Sequence, residues 1–304
     1  MKWQKQGRIY CTGNDSWWQH NSVMVPVPYL VDAGRLRLYC GFRDEAGISR
    51  IGFIDVDVNQ PRHVIDVSRE PVLDIGRPGT FDDNGVVPTS IVSVGSKLYL
   101  YYFAFQLSTR VRYFLFSGVA ISEDNGASFQ RYSEAPILDR SSTELMFRSG
   151  AFATREKDIF RLWYVAGSSW VSRSDKTYPS YAIHYAESVD GFVWPRSGQP
   201  CIVPAENEYG VARPVVFRGP DKRHMIFSAR SFARGYYPAY AESEDGICWQ
   251  RDDGRLGISR SETGWDSQTI CFHSVFQHQD EVYLFYCGND FGREGMGYAV
   301  LREW

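Results

Sequence analysis

The segment FDDNGVVPTSIV (81–92) sets two adjacent carboxylates and an amide, Asp82, Asp83 and Asn84, against a short apolar stretch that contains a proline. Acidic groups so placed either cap a turn and face solvent or stand at the mouth of a cleft, where surrounding charge and burial tune their proton affinity. Arg148 and Arg213 occupy comparable places at the start of the apolar runs FRSGAFAT and ARPVVFR. A guanidinium there suits bidentate binding of a carboxylate or phosphate on a ligand; the alternative is an internal ion pair with Glu208 or Asp266. Arg43 and Asp44 are neighbours that either join such a site or hold their own loop. Trp17, Trp18, Trp170, Tyr236, Tyr237 and Trp265 could stack on the apolar C–H face of a sugar ring or pack between neighbouring elements. His273, inside an apolar run, reads as a buried or channel-lining histidine with a hydrogen-bond partner.

These side chains need a scaffold, and a repeat supplies it. Aromatic-rich runs recur as LRLYCGF, LYLYYFAF, FRLWYVAG, HMIFSAR and VYLFYCGN, with Tyr39, Tyr101, Trp163, Phe227 and Phe285 about 60 residues apart. Each run follows another short strand candidate across a tight polar turn such as GSK or REKD, which is a hairpin signature. A third strand comes next, and in three repeats it leads through SEDNG, SVDG or SEDG towards a fourth. Asp-Gly and Asn-Gly favour the positive backbone angles of tight hairpin turns. This turn resembles a shortened Asp-box of sialidase propellers, with a role in stabilising the repeat. Five four-stranded units fill residues 1–304 as one domain. The fifth lacks an outer strand, which WQKQGRIYC at the amino terminus could provide. The expected fold is all-β: a single five-bladed β-propeller of four-stranded antiparallel blades, with the N-terminal strand closing the last blade.

Strand direction sorts the loops. The second-to-third loops and the connections between units share one face, and they are the long, chemically rich ones. They include FRDEAGISR, FAFQLSTRVRYF, SSWVSRSDKTYPSY, SARSFARGYYPAY and GNDFGREGMGY. Carboxylates, arginines and aromatics are therefore expected to converge on one end of the central channel, where a rigid scaffold carries function.

Composition excludes some partners. The net charge of -3 gives no reason to expect nucleic acid, and no apolar segment is long enough to cross a bilayer. MKWQKQGRIY has no apolar core for a signal peptide, so a cytoplasmic location is expected. The six cysteines show no CxxC spacing and read as free thiols rather than disulfides or a zinc site.

Over essentially its whole length the chain resembles the five-bladed propeller clan of arabinanases, xylosidases, invertases and levansucrases. It is most similar to uncharacterised glycosylase-type propellers of surface-polysaccharide biosynthesis. The likeness rests on FRD with GISRIG, GTFDDNGVVP, YAESVDGFVW, YAESEDGICW, GVARPVV, GWDS and GNDFG. The clan sets an aspartate on the first blade, an aspartate on the second and a glutamate on the third around the scissile sugar. The resemblance thus implies a role for Asp82 or Asp83 and for Glu144 in proton transfer and charge stabilisation, because glycoside hydrolysis needs one carboxyl to donate a proton while another stays ionised. The first-blade segment HNSVMVPVP departs from the clan: it offers His20, Asn21 and Ser22, with Asp15 upstream, and no aspartate. Asp44 and Asp266 are the candidate substitutes. The resemblance also permits a central Ca2+ near His273, but no acidic cluster with calcium spacing accompanies it, so no metal and no cofactor are expected. The implied function is a glycoside hydrolase-like or glycosyl-transferring enzyme acting on a glycan, glycan precursor or sugar nucleotide. The alternative is a non-catalytic glycan-binding propeller that has lost the hydrolytic carboxylate set; in both, Arg43, Arg148, Arg213, Glu208, His273 and the aromatics would contact the sugar.

Overall fold

The computed structural model describes residues 1–13, 16–174 and 176–304; Asp15 lies outside them. The chain opens with β1 (Lys2–Tyr10). The first unit is β2 (Val23–Leu30), β3 (Arg35–Arg43), β4 (Ser49–Asp57) and β5 (Val64–Val67), and the second is β6 (Val86–Val94), β7 (Lys97–Leu107), β8 (Tyr113–Ser122) and β9 (Gln130–Arg131). The third is β10 (Phe147–Glu156), β11 (Ile159–Arg173), β12 (Lys176–Ser188) and β13 (Gln199–Ile202). The fourth is β14 (Gly210–Arg218), β15 (Arg223–Ser231), β16 (Gly235–Ser243) and β17 (Gln250–Arg251), and the last is β18 (Cys271–His278), β19 (Glu281–Cys287) and β20 (Met296–Glu303). β1 pairs antiparallel with β20, so the amino terminus supplies the outer strand of the last unit, as its sequence suggested. The units lie in four sheets, because one parallel pair, Tyr181 with Gly210, joins the third and fourth.

The aromatic composition has a direct use. Core clusters lie between consecutive units: Tyr39 with Leu100 and Tyr102, Tyr101 with Leu162 and Tyr164, Trp163 with Met225 and Phe227, Ile226 with Leu284 and Tyr286. Trp18 and Phe42 of the first unit meet Phe285 and Tyr298 of the last. Large flat side chains fill the wedge between twisted sheets, and each fully buried one contributes about 1.5–3 kcal/mol. Innermost strands touch in series, β2 with β6, β6 with β10, β10 with β14, β14 with β18, and β18 again with β2.

The Asp-Gly turns hold neighbouring units together. Tyr39 donates its hydroxyl to the Gly126 carbonyl at 2.7 Å, Tyr101 to Gly191 at 3.1 Å, and the Trp163 indole N–H to Gly246 at 2.8 Å. Gly126, Gly191 and Gly246 have φ of 80°, 79° and 82°, and a Cβ at Gly126 would lie 1.9 Å from the Tyr39 hydroxyl. Two details differ from the sequence reading. The loop SSWVSRSDKTYPSY is largely strand, because β11 and β12 continue into a long hairpin. The fourth strand of the third unit is Gln199–Ile202, beyond WPR, since Trp194 folds back and donates to the Gly191 carbonyl at 3.2 Å.

Candidate functional site

Each innermost strand is interrupted near its start. Register breaks fall between Met24 and Val27, Pro88 and Ser90, Ser149 and Phe152, Ala212 and Val215, and Cys271 and Ser274. Four of the five breaks carry a left-handed residue: Val25 (φ 56°), Gly150 (φ 61°), Arg213 (φ 58°) and Phe272 (φ 55°). For non-glycine residues this conformation costs about 1–3 kcal/mol, and a bulge re-aims the side chain that carries it. All four residues line one axial cavity of 370 Å³.

The cavity wall is aromatic and cationic. Phe103, Phe105, Tyr113, Tyr181 and Tyr236 form much of its side, and Phe272 and Phe291 stack on each other with ring centroids 6.0 Å apart. Arg43, Arg112, Arg213 and Arg230 complete the charged lining, and no aspartate or glutamate is among the described residues that form it. None of these arginines takes part in an ion pair among the described residues.

Arg213 is 3 % exposed and donates through Nη1 to the Thr89 carbonyl at 2.8 Å, while Nε and Nη2 have no hydrogen-bond partner among the described residues. Burial pushes this guanidinium down to about 9, which leaves it charged at neutral pH. Arg230 lies over the rings of Tyr236, Tyr209 and Tyr178 at 4.6, 5.0 and 5.8 Å. Burial opposes its charge, but the tyrosines outweigh burial and hold Arg230 above its usual range. Burial lowers Arg43, against the opposing pull of Asp290 and Tyr113. The Tyr181 and Tyr236 hydroxyls are 3.0 Å apart, and burial raises both well into the neutral, hydrogen-bonding state.

Of the residues expected at the site, Arg43, Arg213 and Tyr236 line the cavity. The carboxylates lie elsewhere, in a recurring clamp. Asp82, fully buried, accepts from Thr80 Oγ1 at 3.0 Å, the Tyr102 hydroxyl at 3.1 Å and Arg131 Nε at 2.6 Å. Glu144 accepts from the Tyr164 hydroxyl and His184 Nδ1, both at 2.8 Å, and from the Gly198 N–H at 2.9 Å, with Arg148 Nε 2.5 Å away. Burial alone would raise Glu144, but these donors together hold it below the ordinary glutamate range. Glu208 binds Arg251 at 2.6 and 2.8 Å and takes the Tyr237 hydroxyl. Asp266 binds Lys5 at 2.6 Å and the Tyr286 hydroxyl at 3.1 Å. In three of these clamps the cation comes from the outermost strand, β9, β17 or β1, so the pair fastens the lead-in of the innermost strand across the whole unit.

The remaining candidates have other surroundings. Asp83 accepts from the Gly79 N–H at 2.8 Å and so caps its turn. Asp44 accepts from the Ile48 N–H at 2.9 Å and from Arg50 at 2.7 Å, holding its own loop. Arg148 pairs with Glu144, not with Glu208 or Asp266, and also donates to the Pro195 carbonyl at 2.7 Å. Trp17 is exposed under the Arg50 guanidinium, Trp18 is fully buried against Phe42, and Trp265 stacks on Tyr286. Trp170 packs edge-on against the cavity residues Phe147 and Tyr113. His20 and Asn21 take up the Arg43 and Asp44 carbonyls through backbone and side-chain N–H groups.

His273 departs from the expected hydrogen-bonded histidine. It is 1 % exposed, and neither ring nitrogen has a partner among the described residues. Burial and then the Arg213 charge push it down to about 3, so it is neutral. Among the described residues no group of three or more His, Cys, Asp or Glu side chains could hold a metal ion. The sequence reading did not single out Arg230, Arg112, Tyr113 or Tyr181, although their loops were placed on this face. Their signal was position in the third-strand approach rather than residue type.

No family model matches the chain. Solved structures share its fold. A glycoside hydrolase aligns with a TM-score of 0.78 at 16 % identity, covering 99 % of this chain and 92 % of its own. A thermostable family-43 glycoside hydrolase aligns with a TM-score of 0.67 at 16 % identity, over 96 % and 91 %. A member of the GH130 family of mannoside phosphorylases and glycoside hydrolases aligns with a TM-score of 0.69 at 14 % identity, over 99 % and 93 %. The fold is therefore the β-propeller of glycoside hydrolases. In sequence, the uncharacterized proteins MT1551 and Rv1502 of two Mycobacterium tuberculosis strains (CDC 1551 / Oshkosh and ATCC 25618 / H37Rv) are each 33 % identical over 304 residues, 100 % of both chains. The chain belongs to the family of these full-length mycobacterial relatives.

Proposed function

We propose that the chain is a single five-bladed propeller that recognises a sugar or glycan precursor in its axial cavity. The observation that carries this reading is an aromatic-walled cavity of 370 Å³, within the size range of small-molecule sites, at the axis of a glycoside hydrolase-type fold. Sugar rings present apolar faces to such walls, while tyrosine hydroxyls and guanidinium groups take their oxygens. Recognition is favoured over paired-carboxylate hydrolysis because the described lining contains no acid, whereas that mechanism needs two carboxyls about 5–9.5 Å apart across the sugar. Six free cysteines support an intracellular setting, where a precursor of a surface glycan would be met.

A second reading keeps the enzyme, with Asp82 or Asp83 and Glu144 moving protons; the shared fold with family-43 and GH130 proteins is the observation in its favour. One experiment separates the two. Intrinsic fluorescence is titrated with mono- and oligosaccharides, sugar phosphates and sugar nucleotides, and every mixture is followed for product. Binding without turnover, weakened by Tyr236→Ala, is the expected result. Turnover abolished by Asp83→Asn would establish the enzyme, and no binding to any of these compounds would remove both readings.

A further inference from the structure

The cavity concentrates cations that the rest of the molecule leaves unneutralised. Arg213 lines it, pinned by one hydrogen bond to the Thr89 carbonyl, with two donor nitrogens unpartnered among the described residues. A buried charge in that state is costly unless a counter-charge arrives, and the left-handed backbone at φ 58° adds to the cost of holding it there. Arg230 is fixed in orientation by three tyrosine rings and has no carboxylate in an ion pair with it among the described residues. Arg43 also lines the cavity; Asp290 favours its charge but forms its ion pair with Arg293, at 3.5 Å. Among the described residues four arginines and no acid line a space of 370 Å³ in a chain whose net charge is -3, so the positive potential is local to this cavity.

We propose that the axial cavity binds a phosphorylated sugar, with Arg213, Arg230 and Arg43 holding the phosphate and the aromatic wall taking the ring. A dianion matches a four-arginine lining better than a single carboxylate does. Guanidinium forks present paired N–H donors to phosphate oxygens, and Arg213 is the cavity arginine whose Nε and Nη2, buried from water, have no partner among the described residues. The small cavity has room for a compact sugar phosphate and none for a nucleic-acid strand. This inference rests on the sugar-recognition reading above and names its ligand class.

The test is titration calorimetry on the intact 304-residue protein. The probes are the 1-phosphates of glucose, mannose and galactose, the free hexoses, glucuronate and inorganic phosphate. At least one hexose phosphate is expected to bind about tenfold or more tighter than its free hexose, as charge-assisted hydrogen bonds require. Arg213→Gln and, independently, Arg230→Gln should remove that advantage, while Arg302→Gln at the outer edge retains it. Circular dichroism and thermal melts show whether each variant is folded, and either folded cavity variant suffices for the comparison. The proposal is overturned if no hexose phosphate outbinds its hexose, if glucuronate binds as tightly, or if both folded cavity variants keep the advantage. Should inorganic phosphate bind as tightly as every hexose phosphate while free hexoses do not bind, the sugar half and the preceding reading fall together. The phosphate subsite alone would then stand.

Discussion

The carboxylates that lead into the innermost strands and the arginines around the axial cavity are close in sequence and opposite in circumstance. Glu144 is followed by Arg148, which neutralises it; Glu208 is followed by Arg213, which ignores it. Every clamped acid has a cation and a tyrosine hydroxyl from its own sheet, whereas no cavity arginine is in an ion pair among the described residues. Charge that is internally satisfied fastens strands. Charge that is buried and unsatisfied is where the proposed ligand would complete the structure.

The largest expected effect comes from breaking a clamp. Glu144→Ala leaves Arg148 buried beside Tyr164 without its carboxylate, and unfolding in urea should require about 3–5 kcal/mol less. A loss below about 1 kcal/mol would show that the clamp is dispensable. Asp82→Asn should cost somewhat less, about 2–3 kcal/mol, because the amide oxygen can still accept from Thr80 and the amide N–H can donate to the Tyr102 hydroxyl oxygen, while the Arg131 pair is lost.

Acid should act in the same direction. Glu144 and Glu208 are depressed in the folded state, against burial, by hydrogen bonds and arginine partners. Their stabilisation is fully present above the unfolded glutamate value near ~4.3 and is lost as pH falls through the lower folded values. Stability should therefore rise with pH across that window, and Glu144→Ala should flatten the rise when melts are compared over it. A variant with the wild-type slope would contradict the assignment of Glu144 as an ionised clamp.

The opposite sign is expected at the cavity. Arg213→Met removes an unpartnered buried cation, so its unfolding free energy should match or exceed the wild type. A clear destabilisation would mean that the single bond to Thr89 outweighs the cost of burying the charge. The smallest effect belongs to Asp83→Asn. Among the described residues its side chain accepts one hydrogen bond, from the Gly79 N–H, which an amide oxygen also accepts, so stability should change by less than about 0.5 kcal/mol.

Much of the scaffold was legible in the sequence because it depends on local chemistry. The aromatic runs became β3, β7, β11, β15 and β19; the Asp-Gly turns became positive-φ turns; the amino-terminal strand paired with β20. The site was less legible, since alternation along a strand predicts which side chains face the axis only until a bulge intervenes. Nothing in ARPVVFR announces that Arg213 adopts a left-handed backbone and lines the cavity. Gly150 is the single bulge position whose residue type could have flagged it. The clamps were hidden for another reason: Asp266 meets Lys5 across 261 positions of sequence, a pairing visible only once β1 joins the last sheet. The carboxylates drew attention because hydrolysis would require them, yet the expected chemistry gave no means of counting their internal partners.

The central claim, that the acids clamp and the arginines receive, is tested most directly by one set of thermal melts. Wild type, Glu144→Gln and Arg213→Gln are melted with and without the hexose 1-phosphate that binds the wild type. Glu144→Gln should start lower than wild type and still be stabilised by the ligand, whereas Arg213→Gln should start no lower and gain nothing. The reverse pattern, with Glu144→Gln melting like wild type but no longer responding to ligand and Arg213→Gln still responding, would place the site at the carboxylates and contradict the account.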